Sequence, residues 1–133
     1  DTAAAQGTRL AAAGLDISKF ALRRAARLNP EAVNLVWDIW QPLPLADSSV
    51  DAVTVVFAPR NAAEFARVLR PGGRLVVVTP RPGHLAGLAA IAGMLAIEEG
   101  KDARLAEAMS RHFDAAEGVD VDIPLALTSR DAA

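Results

Sequence analysis

The chain has no cysteine, only two histidines, and no glycine-rich loop of the G-x-G-x-G type. Without cysteine there are no disulfides and no thiolate metal sites, and His84 and His112 alone cannot make a histidine-rich metal centre, so the metal expectation is none. A strong basic excess is missing too: the formal net charge is -2 and the pI about 5.6. No global field draws the chain to a polyanion, and any nucleic-acid contact has to come from a local patch. Long apolar runs are also lacking. The longest, Leu85 to Ile97, is too short to span a bilayer, and no signal-peptide pattern opens the chain, so no membrane partner and a cytoplasmic location are expected.

What is present suits a globular α/β domain. Hydrophobic residues make up 52% of 133 residues, much of it alanine, enough for a core. The organising stretch is Val50 to Pro80, VDAVTVVFAPRNAAEFARVLRPGGRLVVVTP. Two β-branched runs, Val53 to Phe57 and Leu75 to Val78, read as strands covered on both faces. Between them Phe65, Val68 and Leu69 share one helical face, with Glu64, Arg67 and Arg70 on the opposite side. Pro71 stops the helix and Gly72-Gly73 reverse the chain into the next strand. The whole is a βαβ unit.

Before it, the pattern predicts a strand over 9–16 and a helix from Ser18 to Asn29, capped by Ser18 or Asp16 and carrying an apolar stripe of Ile17, Ala21, Ala25 and Leu28. A strand over 33–39 and a proline-rich loop come next. Trp37 and Trp40 cannot both face one side of a regular strand, so one packs under a helix and the other lines the loop. After the unit, a buried helix from about His84, an amphipathic helix over 102–113 with Leu105, Met109 and His112 or Phe113 on one side, and an alternating strand at Val119, Val121 and Ile123 are expected. Thr128 to Asp131 reads as the opening of a further helix. The order describes one partial doubly wound domain over 1–133, an excerpt of a larger one.

In such sheets ligands bind beyond the carboxyl ends of the strands. Asp16, Asp38 and the Phe57-Ala58-Pro59 stretch fall at three of these ends. A carboxylate there can accept both hydroxyls of a ribose, or the amine of a base. Ile17, Ile39, Trp37 and Phe57 supply flat apolar contact, and together these describe a nucleoside pocket.

The patterns GLDIS (Gly14 to Ser18), VWD (Val36 to Asp38), LPLADSSVDAV (Leu43 to Val53) and LRPGGRLVVVTP (Leu69 to Pro80) resemble those of the class I S-adenosylmethionine-dependent methyltransferases. More narrowly, FAPRNAAEFARVLRPGG followed by TPRPGHL is similar to the 23S ribosomal RNA guanine-N1-methyltransferases. The resemblance implies a Rossmann-like core with a mostly parallel sheet and helices on both faces, with the first and last strands missing from this chain. It implies S-adenosylmethionine as cofactor, S-adenosylhomocysteine as product, and ribosomal RNA as partner, although the overall charge does not support that partner. Carried over by residue, Asp16 holds the ribose, Asp38 the adenine amine, and Ile17 and Ile39 flank the adenine. Phe57 and Ala58 border the methyl donor, and Pro59 and His84 face the substrate. No catalytic base is assigned. The family's glycine-rich loop and the cysteine-rich zinc module of the guanine-N1 enzymes have no counterpart in this sequence.

Several readings stay open at this stage. A small-molecule methyltransferase and a non-catalytic domain that binds a partner through Leu85 to Ile97 are the alternatives, and both monomer and homodimer are compatible. Asp16 also reads as a cap, Asp38 as a turn residue, Asp51 as a loop-closing acid, and Arg23, Arg24 and Arg27 as a solvated helix face.

Overall fold

The structure, a computed structural model, describes residue 7 and residues 9–81, 101–114 and 118–124. Its elements are β1 (Ala13–Asp16), α1 (Lys19–Leu28), β2 (Val33–Val36), β3 (Val50–Val56), α2 (Ala62–Val68), β4 (Leu69–Val78) and α3 (Lys101–Ser110). β1 pairs with β2 and β3 with β4, both in parallel, and each pair is joined through a helix. The expected α/β fold with parallel strands is thus present as two βαβ units.

In the first unit, Ser18 caps α1 by accepting from the Ala21 N–H at 3.3 Å, and the helix ends at Asn29, before Pro30. The side chain that α1 buries against β1 and β2 is Leu22, with Ala25 beside it. This corrects the apolar stripe expected at Ile17, Ala21, Ala25 and Leu28. Ile17 precedes the cap, so it is outside the helical phase, and it and Leu28 are 75% and 77% exposed. Both strands are shorter than the pattern predicts. β1 begins only at Ala13, and β2 stops at Val36 because the backbone turns over 38–41, where the Gln41 N–H donates to the Asp38 carbonyl at 3.0 Å. Trp37 then packs against the core while Trp40 lies exposed, dividing the two indoles as expected.

The second unit holds the core, Leu43, Val55, Phe65 and Val68, with Trp37, Ile39, Leu45, Leu75 and Phe113 packed around it. Phe65 and Val68 are 2% and 0% exposed, so the apolar face of α2 is where its periodicity puts it. Its other face is anchored by charged side chains. Arg67 reaches across to the loop 41–49, donating to the Leu43 and Leu45 carbonyls at 3.1 and 2.9 Å and to Asp47 at 2.7 Å. Glu64 grips the same guanidinium at 2.8 Å and accepts the Leu43 N–H at 2.6 Å. In return the Ser48 and Ser49 N–H groups donate to the Arg67 and Val68 carbonyls, which the end of the helix leaves without intrahelical partners. The proline-rich loop is thereby a cover over α2.

The turn expected at Pro71-Gly72-Gly73 lies within β4. Val50 pairs with Leu69 and Ala52 with Arg74, so the intervening residues bulge out of the ladder. Gly72 takes φ +78, and a Cβ on Gly73 would stand 2.8 Å from the Arg70 carbonyl oxygen and 3.1 Å from that of Asp51. Asp51 closes this corner through a 2.6 Å ion pair with Arg70.

Only one face of the β3 and β4 pair is covered among the described residues. Val55 is buried and Val53, Leu75 and Val77 half-buried, whereas Thr54, Val56, Val76 and Val78 are exposed. Just past α3, Phe113 packs against the core, with its N–H donating to the Met109 carbonyl at 2.9 Å, while Met109 is half-buried and His112 exposed. Val119, Val121 and Ile123 form no strand, correcting the alternating pattern's prediction. An alternating segment needs a neighbouring edge to pair with, and here its aspartates instead approach Arg81 at 3.4–3.6 Å. The segment Leu85 to Ile97, His84 and the Thr128 to Asp131 pattern lie outside the described residues. Among the described residues no helix is long and apolar enough to cross a membrane.

Candidate functional site

Parallel pairing aligns the carboxyl ends of β1 and β2, and the Trp37 N–H donates to the Asp16 carbonyl at 3.0 Å. Asp16 is thus one backbone hydrogen bond from the segment that carries Asp38. Both carboxylates are exposed and both spend one oxygen locally. Asp16 Oδ1 accepts the Ser18 N–H at 2.7 Å, and Asp38 Oδ1 accepts the Trp40 N–H at 3.0 Å. Each side chain is held by its own turn, and its second oxygen accepts no hydrogen bond among the described residues. The cap and turn readings and the ligand reading of these acids are therefore compatible. Asp16 supports the cap residue from below while Ser18 does the capping.

Ile17 stands exposed directly after Asp16. Ile39 is half-buried against the core, so it offers less surface than expected of an adenine neighbour. Phe57, the first residue past β3, takes φ +50 and is 59% exposed, while its N–H donates to the Val78 carbonyl at 3.0 Å. A left-handed phenylalanine is costly and persists only where surrounding contacts impose it, a condition common at ligand sites. Ala58 and Pro59 continue exposed from there.

Sequence reasoning passed over the residue that joins these parts. Asn61 donates from Nδ2 to the Ile39 carbonyl at 3.1 Å, and its Oδ1 faces the Glu64 N–H at 3.5 Å as the cap of α2. One side chain thus ties the turn carrying Asp38 to the helix that follows Phe57-Ala58-Pro59. Its signal was the N-x-x-E spacing of Asn61 and Glu64 ahead of an apolar run, a helix-start signature. The Arg67 clamp left no such trace, because its partners lie about twenty residues upstream.

The arrangement can accept hydrogen bonds from hydroxyls or an amine at two neighbouring strand ends, beside exposed apolar side chains. That set of acceptors and apolar surfaces fits a nucleoside.

Residues 2–77 match the family described as "Methyltransferase domain", and the chain belongs to that family. It is 50% identical over 101 residues, 76% of this chain and 36% of the relative, to the 23S rRNA (guanine(748)-N(1))-methyltransferase of Streptomyces fradiae. A Micromonospora griseorubida protein, provisionally named a 23S rRNA (guanine-N(1)-)-methyltransferase, is 54% identical over 102 residues, 77% of this chain and 35% of the relative. A demethylmenaquinone methyltransferase of Tropheryma whipplei is 40% identical over 78 residues, 53% of this chain and 33% of the relative. The chain spans about a third of the length of these curated relatives.

Proposed function

We propose that this chain is the cofactor-binding part of an S-adenosylmethionine-dependent methyltransferase that methylates N1 of a guanine in 23S ribosomal RNA. The observation that carries the reading is the pair of acids at adjacent strand ends. Asp16 and Asp38 are each fixed by their own turn, and among the described residues the second oxygen of each accepts no hydrogen bond, inside a methyltransferase domain. Similarity to the two guanine-N1 relatives supports the RNA substrate over the small-molecule alternative, which the shorter match to the menaquinone enzyme represents.

In this reading the second oxygen of Asp16 accepts from the ribose hydroxyls and that of Asp38 from the adenine amine. Ile17 covers the adenine from its exposed position, and Ile39 backs the Asp38 turn. Phe57 and Ala58 border the reacting groups, with Pro59 and His84 on the substrate side. When bound, S-adenosylmethionine supplies a methyl group activated by the sulfonium. The chain's own contribution is positioning, and pre-set geometry is the larger part of catalysis in such a transfer.

The test uses the natural protein that carries this chain. Asp16→Asn keeps an oxygen for the Ser18 N–H and removes the charge. Calorimetric titration with S-adenosylhomocysteine is expected to show affinity lowered by about 1.5–3 kcal/mol, the range for a hydrogen bond to a charged group. An unchanged dissociation constant would remove Asp16 from the site. Methyl transfer to a 23S rRNA transcript, and none to a quinol, is the result expected for the substrate.

A further inference from the structure

Arg60 has a place in the fold that the cofactor does not account for. Two arginines among the described residues are half-buried, Arg60 and Arg67. Arg67 is met by Glu64, Asp47 and two carbonyls, and even the exposed Arg70 and Arg81 have aspartate partners. Arg60 has neither an ion pair nor a side-chain hydrogen bond among the described residues. A half-buried cationic side chain without a counter-charge is less favourable than a paired one, and its local setting does not compensate. Arg60 stands immediately before the cap of α2, whose unpaired N–H groups disfavour a cation. The unmatched charge leaves a place for an anion that arrives from outside.

The location narrows the anion. Arg60 follows Phe57-Ala58-Pro59 at the carboxyl end of β3 and precedes Asn61, which is bonded to the Ile39 carbonyl of the Asp38 turn. Its backbone is therefore held at the rim between the end of β3 and that turn. The reading above places Phe57-Ala58-Pro59, the residues immediately before Arg60, beside the reacting groups and the methyl acceptor. An acceptor in RNA brings a phosphodiester with it, and the planar fork of arginine matches two phosphate oxygens.

Resting on the RNA-methyltransferase reading, we infer that Arg60 binds a backbone phosphate of the target nucleotide and so selects a nucleic acid over an uncharged acceptor.

The experiment uses the natural protein with a transcript spanning the guanine-748 region of 23S rRNA, the position in the Streptomyces fradiae relative's name. Arg60→Ala is expected to raise KM for the transcript about 10- to 100-fold, the scale of one charge-assisted hydrogen bond, with kcat changed less than about twofold. The slope of log affinity against log salt should fall by about 1, as for the loss of one phosphate contact. Arg60→Lys should restore the slope and only part of the KM, because it returns the charge without the fork. S-adenosylhomocysteine affinity should not move. Arg60→Gln, with a urea midpoint for each variant, serves if Arg60→Ala does not fold. Unchanged transcript affinity and salt slope would overturn the inference. Weakened S-adenosylhomocysteine binding would overturn it as well, assigning Arg60 to the cofactor's carboxylate. A wild-type protein that neither binds nor methylates the transcript would refute the underlying reading, and does so before any substitution is made.

Discussion

Asn61 is the place where one atom changed separates two jobs. Its Oδ1 caps α2, a role aspartate performs as well, and its Nδ2 holds the Ile39 carbonyl at 3.1 Å, a role aspartate cannot perform. Asn61→Ala removes both. Loss of the cap costs about 1 kcal/mol, and the half-buried Ile39 carbonyl left without its donor costs about 1 kcal/mol more. Asn61→Asp keeps the cap and sets a carboxylate oxygen against that carbonyl, so it should cost at least the second amount. For a domain with about 5–15 kcal/mol in hand these are sizeable losses. With a urea m-value of about 2 kcal/mol/M, Asn61→Ala should lower the unfolding midpoint by about 1 M and Asn61→Asp by about half that. Because the tether positions the turn carrying Asp38, both variants should also bind S-adenosylhomocysteine more weakly in calorimetry. An Asn61→Asp protein with wild-type midpoint and wild-type affinity would refute the reasoning, since it would show that the tether holds nothing the site needs.

Two other predictions follow from the second βαβ unit. The Glu64 carboxyl is held at about 2, below its ordinary 4.5, by hydrogen bonds from Arg67 and from the Leu43 N–H. The unfolded chain therefore takes up a proton that the folded one refuses, so stability from this group is complete above about pH 4.5 and disappears as pH falls toward 2. Urea unfolding across that window should show a steeper loss for wild type than for Glu64→Gln, and parallel curves would rule out the clamp as an acid-sensitive element. Gly73→Ala, whose Cβ would meet two backbone carbonyl oxygens at 2.8 and 3.1 Å, should destabilise by about 1–3 kcal/mol. A variant with an unaltered urea midpoint would mean that the bulge relaxes freely.

Local pattern alone determined the parts of this protein whose causes are local. The β-branched runs of β3 and β4, the buried face of α2 at Phe65 and Val68, the Ser18 cap and the stop at Asn29-Pro30 all depend on residues within a few positions of one another. The acids at the ends of β1 and β2 were legible for the same reason, since a strand's carboxyl end is read from where its apolar run stops. Tertiary structure decided what those faces meet. The partners of Arg67 at Leu43, Leu45 and Asp47 are distant in the chain, and only the folded loop turns a charged helix face into an anchored one. Ile17 read as core by its type and is exposed by its position before the cap. Val119 to Ile123 alternated as a strand should, yet alternation describes two faces and supplies no neighbouring edge, and the ladder's hydrogen bonds come from the neighbour. The tether from Asn61 to Ile39 belongs to the same class: a side chain's type says what it can donate, and the fold determines which carbonyl receives it.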